Sequence, residues 1–259
     1  MSNQLEFDAV SITYGHGASA FKAVNDVSLE LRAGEVLGLV GESGSGKSTL
    51  ARAAVGLAEP SDGRVVLEGN EISHARGRVL RERRRVQMIF QDPQSCFNPR
   101  RTIGQSLDEA LVAAHKRDGS AIPAVRARRE EIANLLRAVA LPSDTAQRMP
   151  AQLSGGQRQR VAVARAIAAK PAVILADEIT SALDVSVQGS VLNLLKQLQR
   201  DLGFSMLFIS HNLAVVRLVC DRVAVMRQGR LVEVGETLDV MHDPQHDYTR
   251  ELIAAVPTL

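Results

Sequence analysis

The sequence predicts an α/β protein: a mostly parallel β-sheet flanked by helices, with an antiparallel β region before it and a helical lobe inserted into it. Three observations carry that expectation. Apolar runs alternate with helical patterns, the order that yields parallel strands joined by crossover helices. Residues 41–48, Gly-Glu-Ser-Gly-Ser-Gly-Lys-Ser, stand between one such run and a helical pattern. From Asp92 to about residue 165 the β-rich character gives way to helical segments bearing Leu and Ala.

In chain order, Leu5–Thr13, Ala23–Arg32, Glu35–Val40 and Val65–Glu68 read as strands, with Asp62-Gly63 and Gly69-Asn70 as turn signals. Lys47–Val55 reads as a helix and Val86–Phe90 as an apolar strand. Asn98-Pro99-Arg100 is a loop, and the helical patterns Ile103–His115 and Arg129–Ala140 are closed by Pro142 and Pro150. Ala172–Ala176 is a short apolar strand. Val187–Leu202 is an amphipathic helix with Val191, Leu194, Leu195 and Leu198 on one side. Phe204–Ser210, Arg222–Arg227 and Arg230–Val234 are further strands, the last two joined through Gln228-Gly229. The expected division is one domain, with residues 1–91 and 166–235 as the sheet-bearing core, 92–165 as helical subdomain and 236–259 as tail.

Composition excludes more than it selects. With 259 residues, 45% hydrophobic and 23% charged, the chain fits a globular core. No apolar h-region follows the start, where Glu6 and Asp8 come early, so no signal peptide is expected. No apolar stretch approaches the ~20 residues that span a bilayer. Cys96 and Cys220 lie far apart and outside any Cys-x-x-Cys pattern, which argues against a zinc or iron–sulfur site and fits a reducing cytoplasm. Arginines cluster at 76–85 and 126–129, but no aromatics interleave with them and the net charge is only +2. A solvated face is the expectation there, not nucleic-acid binding.

The chemistry begins at residues 41–48. Gly41, Gly44 and Gly46 permit backbone conformations that a side chain would block, so that N–H groups of the loop, including those of Glu42, Ser43 and Ser45, can meet phosphate oxygens. The helix that follows adds the positive end of its dipole. Lys47 can reach β- and γ-phosphates, the Ser48 hydroxyl is a natural Mg²⁺ ligand, and Thr49 can bond an α-phosphate oxygen. A second run, Ala172-Val173-Ile174-Leu175-Ala176, delivers Asp177 and Glu178 at its C-terminal end, where ligands of parallel sheets sit. Adjacent strand residues face opposite ways, so the two acids can take different roles. Asp177 is expected to hold Mg²⁺ beside Ser48, and Glu178 to polarise a water for in-line attack on the γ-phosphate. Gln91 and His211 each end an apolar strand, and both are expected to sense γ-phosphate or metal.

These motifs, with Leu153-Ser154-Gly155-Gly156-Gln157 and Ser181-Ala182-Leu183-Asp184 in their order, resemble the nucleotide-binding subunits of ABC transporters over nearly the whole chain. The resemblance implies a P-loop (RecA-like) parallel-sheet core, ATP and Mg²⁺ as cofactors, and ATP hydrolysis coupled to transport. It implies that Tyr14 stacks on adenine, and that Ser154, Gly155, Gly156 and Gln157 act in trans on nucleotide held by a second ATPase subunit. A hydroxyl, glycine N–H groups and the start of a helix at Gln157–Ala169 suit an anion. The implied partners are that second subunit (a heterodimer, with a homodimer possible), two membrane permease subunits and an extracytoplasmic solute-binding protein. The implied location is the cytoplasmic face of the inner membrane.

Phe90-Gln91-Asp92-Pro93, Asn98-Pro99-Arg100, Leu183 to Gln188, and Pro244-Gln245-His246-Asp247-Tyr248-Thr249 continuing to Leu252, Ala255 and Pro257 resemble the importers of dipeptides, oligopeptides and nickel. Peptide is the leading expectation for the solute, with nickel and other small solutes behind it. Two residues depart from the pattern: Asp247 stands where the tail usually has Pro, and Ile179 replaces the Pro that usually follows the catalytic Glu. A soluble ABC ATPase acting on DNA or ribosomes is the rival reading. It would be expected to carry a long coiled-coil insertion or a second ATPase unit, and this chain has neither. A third reading is a regulatory nucleotide-binding switch without turnover, against which Glu178 and His211 argue.

Overall fold

The computed structural model describes residues 3–15, 17–92, 96–181 and 185–255; Pro93, Ala182, Leu183, Asp184 and Pro257 lie outside them. Among the described residues two sheets form. The first is antiparallel in the order β2-β1-β4-β5, built from β1 (Asn3–Tyr14), β2 (Phe21–Arg32), β4 (Asp62–Leu67) and β5 (Asn70–Glu71). The second runs β10-β9-β3-β8-β7-β6, from β3 (Val36–Val40), β6 (Val86–Ile89), β7 (Val173–Asp177), β8 (Ser205–Ile209), β9 (Arg222–Arg227) and β10 (Arg230–Glu236). Its strands are parallel except β10, which returns antiparallel to β9. The expected α/β architecture is therefore present.

The second sheet is apolar on both faces, as parallel sheets between two layers must be. Every residue of β3, β7 and β8 is buried. Alternation then divides them. Leu37, Leu39, Val173, Leu175, Leu207 and Ile209 enter one core, shared with the antiparallel sheet and with α1 (Lys47–Val55). Val36, Val40, Ile174, Ala176, Met206 and Phe208 enter the other, with α3 (Ile103–Asp118), α4 (Val125–Ala138), α5 (Gly155–Ala168) and α6 (Val185–Leu202). Most of the apolar side expected for α6 faces this core, where Leu195 and Leu198 are buried and Leu194 packs against them, joined by Leu192; Val191 is buried as well.

Local chemistry sets the boundaries. Thr102 and Ser154 each make a capping box, with Gln105 and Gln157, so α3 and α5 begin sharply. Helix α5 thus starts at Gly155, two residues before the Gln157 that the pattern suggested. The helix expected over 129–140 begins earlier, at Val125. Gln228-Gly229 joins β9 to β10 with both φ angles positive, 48° and 79°, as a two-residue hairpin requires. Asp62-Gly63 does not turn the chain. Gly63 takes a φ of 74° inside β4, opposite Ala9 at 50°, where the β1–β4 register shifts. The turn signal expected there marks a β-bulge rather than a reversal.

Four short helices lacked a clear sequence pattern: α2 (Arg78–Arg83), α7 (Leu213–Val219), α8 (Thr237–His242) and α9 (Asp247–Ala254). The first lies in the arginine-rich stretch and buries none of its residues, as a solvated face should. No helix among the described residues is long and apolar enough to cross a membrane.

Candidate active site

In the parallel sheet β3, β8, β7 and β6 are neighbours in that order, so their C-terminal ends form one row. The loop 41–46 leaves β3, Ser210 and His211 leave β8, Asp177 ends β7 with Glu178 after it, and Phe90 and Gln91 leave β6. Residues scattered over 170 positions of sequence reach one edge because the strand order is not the chain order.

The loop is held from behind. A Cβ on Gly41 would lie 2.1 Å from the Met226 carbonyl oxygen, and one on Gly46 2.4 Å from that of Ala23; their φ angles are 149° and 102°. Glycine is required at both by contact as well as by φ. Ser45 N–H donates to Glu42 O at 3.2 Å, and Gly229 N–H donates to Ser45 O at 3.0 Å. Glu42 N–H is also engaged, donating to Tyr248 Oη at 2.9 Å. The backbones of Glu42 and Ser45, expected to offer N–H groups to phosphate, are instead tied into the protein. The N–H groups of Ser43, Gly44 and Gly46 have no protein partner among the described residues. Those donors, with the start of α1, remain available to an anion.

Lys47 is buried and its Nζ donates to Gly41 O at 2.8 Å, Glu42 O at 2.7 Å and Ser45 Oγ at 3.3 Å. Burial lowers its pKa, opposed by the charges of Glu178, Asp177 and Glu42. Ser48 Oγ donates to Asp177 Oδ1 at 2.7 Å. Burial raises the Asp177 pKa, and the bond from Ser48 offsets part of that rise. The two groups thus meet across the strand–helix layer as one oxygen-donor pair.

Glu178 sits at the start of a tight turn, with φ at 48° and its N–H donating to Ile209 O at 3.0 Å. Its carboxylate is a hub. Gln91 Nε2 donates to Oε2 at 3.1 Å and also to Ser181 Oγ at 3.2 Å, while His211 Nδ1 lies 3.4 Å from Oε1. The side chain is only 21% exposed, against 60% for His211. A carboxylate fixed by two polar neighbours and open on one side can orient a water and take its proton.

Comparison with known proteins places this assembly. The family model described as ABC transporter matches residues 24–181. This chain belongs to the ABC transporter family. Oligopeptide transport ATP-binding protein OppF of Lactococcus lactis is 45% identical over 238 residues, which cover 92% of this chain and 73% of that protein. AmiF of Streptococcus pneumoniae, also described as an oligopeptide transport ATP-binding protein, is 42% identical over 263 residues, covering 99% and 83%. The dimeric, post-hydrolysis structure of the ATP-binding cassette MJ0796 with ADP and Pi superposes with a TM-score of 0.77 at 29% identity, covering 90% of this chain and 98% of that one. The chain is therefore an ABC ATPase that binds and hydrolyses ATP.

Not every expected residue of this ABC ATPase joins the row. Tyr14 lies at the end of β1, paired across to Phe21 of β2 and about half exposed. Ser154 to Gln157 lie at the start of α5, and among the described residues no hydrogen bond links them to the loop. There Ser154 Oγ accepts from Gln157 N–H at 3.3 Å, and Gln157 Oε1 accepts from Ser154 N–H at 3.0 Å. The Ser154 hydroxyl hydrogen stays free for an outside acceptor. Two residues at the site escaped sequence reasoning, Ser181 and Tyr248. Both stood inside quoted motifs, but nothing local revealed that Gln91 or Glu42 would be their partner.

Proposed function

We propose that this ATPase energises a peptide importer at the cytoplasmic face of the inner membrane, paired with a second ATPase subunit and seated on two permease subunits fed by a solute-binding protein. The likeness to AmiF and OppF over most of each chain supports peptide as the solute. The observation that carries the catalytic reading is the single row of strand ends, which gathers Lys47, Ser48, Gln91, Asp177, Glu178 and His211.

In this reading the loop N–H groups and Lys47 hold the β- and γ-phosphates, and Thr49 adds a bond to the α-phosphate. Lys47 turns from its loop carbonyls to the phosphates, which replace them as acceptors. Ser48 and Asp177 suit Mg²⁺: both present oxygen, they lie 2.7 Å apart, and a carboxylate raised in pKa by burial gains from a cation beside it. The Gln91 amide oxygen is a further candidate ligand. When bound, the ion neutralises charge developing on the phosphate oxygens. Glu178 orients the attacking water and accepts its proton, and Gln91 and His211 hold that carboxylate in place. Tyr14 stacks on the adenine. Ser154, Gly155, Gly156 and Gln157 complete the site of the partner subunit.

Residues 92–165 are read as a helical subdomain that receives the permease. A groove of about 630 Å³ between it and the core supports this, lined by Leu57, Leu80, Met88, Phe90, Ala113 and Arg165 among others. Reconstitution tests the whole reading. With permease subunits, partner ATPase and binding protein in proteoliposomes, ATP should drive labelled oligopeptide inward. Absence of peptide accumulation, with another solute accumulating instead, overturns the assignment of the solute; ATP turnover indifferent to the permease overturns the importer role.

A further inference from the structure

We propose that Tyr248 is a positioning residue for the phosphate-binding loop, its hydroxyl fixing the Glu42 peptide and thereby linking nucleotide affinity to the docking of α9. The inference rests on reading residues 41–48 as the loop that holds phosphate. Tyr248 is almost wholly buried, at 1% exposure, and its Oη accepts the Glu42 N–H at 2.9 Å across 206 positions of sequence. A backbone N–H at a loop entry needs a partner, and here it comes from a distant side chain. The same peptide is gripped from its other side, because Lys47 Nζ donates to its carbonyl, Gly41 O, as well as to Glu42 O of the next peptide. Rotating the Glu42 peptide would therefore also release Lys47.

The tyrosine is itself fixed. The Arg227 guanidinium carbon lies 4.6 Å from the ring centroid, a cation–π contact. Arg227 directly follows Met226, whose carbonyl packs on Gly41, so one strand supports both the loop and the ring. Helix α9 is capped by His246, whose Nδ1 accepts from Tyr248 N–H at 3.1 Å. The segment before it is pinned to β10, where the Glu233 carboxylate accepts from the N–H groups of Gln245 at 2.8 Å and His246 at 3.1 Å. A continuous chain of contacts runs from Glu233 through α9 to the loop. Removing the hydroxyl leaves the ring, its packing and the Arg227 contact but frees the Glu42 peptide. The loop then spends less time in its binding conformation, and apparent affinity falls by that fraction.

The test uses the full chain and Mg²⁺-ATP. Tyr248→Phe should raise the ATP dissociation constant about fivefold, as loss of one net hydrogen bond implies, with the effect on KM larger than that on kcat. Glu233→Ala should weaken binding alone but add little in the Tyr248→Phe background, since the chain is already cut. Additive effects of the two, or unchanged affinity in Tyr248→Phe while Lys47→Ala abolishes binding, overturn the proposal. ATP binding of wild-type strength in folded Lys47→Ala overturns the reading of the loop instead. Should Tyr248→Phe not fold, hydrogen exchange at the Glu42 amide of the wild-type protein decides: strong protection supports the proposal and free exchange overturns it.

Discussion

Glu178 and Asp177 are adjacent yet sit in different physical settings. Glu178 opens toward solvent and is steadied by Gln91 and His211, whereas Asp177 is buried against Ser48. Glu178→Gln retains size and hydrogen bonding but cannot accept a proton, so turnover should fall by roughly 10²–10⁴. ATP binding should persist; unchanged steady-state phosphate release would move the base elsewhere. For Asp177 the sign follows from linkage. Its folded pKa is raised, so its contribution to stability is full below the unfolded value of about 3.9 and is lost as pH rises through the folded value. At neutral pH the ionised group is therefore a burden on the metal-free fold. Asp177→Asn should melt higher than wild type at pH 7 without Mg²⁺, the gap closing as pH falls, while Mg²⁺-dependent turnover is lost. A lower melting temperature at pH 7 would contradict that account.

At the scale of elements, the start of α5 serves two ends. Ser154 caps the helix through its oxygen, and in the proposed function its hydroxyl hydrogen meets the partner's nucleotide. Ser154→Ala should cost about 1 kcal/mol of stability through the lost cap, read as a fall in melting temperature. Ser154→Arg should leave nucleotide binding by the isolated chain intact, because α5 and the phosphate loop share no hydrogen bond among the described residues. In the Glu178→Gln background with the natural partner ATPase, the Arg variant should lose the ATP-dependent dimer on sizing chromatography. Undiminished dimerisation would count against a trans-acting role for this motif.

For the whole molecule, the groove between core and helical layer adjoins both α3 and β6, the strand that leads to Gln91. In the proposed importer, force applied there by a permease segment would reach the carboxylate hub through the end of β6, which Gln91 follows. Ala113 lines this groove and is exposed, so Ala113→Arg can fold while obstructing a bound helix. Stimulation of turnover by permease subunits should then drop, measured as the ratio of rates with and without them; undiminished stimulation would remove the groove from the coupling path.

The sequence by itself determined the chemistry that depends on neighbours along the chain. The glycines and Lys47 of residues 41–48, the acids after an apolar strand, and the hairpin at Gln228-Gly229 are all local patterns, and local backbone physics makes them legible. The tertiary structure alone decided what meets what. Asp62-Gly63 read as a turn signal, and only pairing with β1 at Ala9 made it a bulge instead. The order β3-β8-β7-β6 brought Gln91 and His211 to Glu178. Tyr248 reached Glu42 because the packing of α9 on the sheet, which no local pattern encodes, set a side chain from the far end of the chain against the loop. Sheet order and long-range packing depend on how all the apolar surfaces are covered at once, and no window of sequence contains that information.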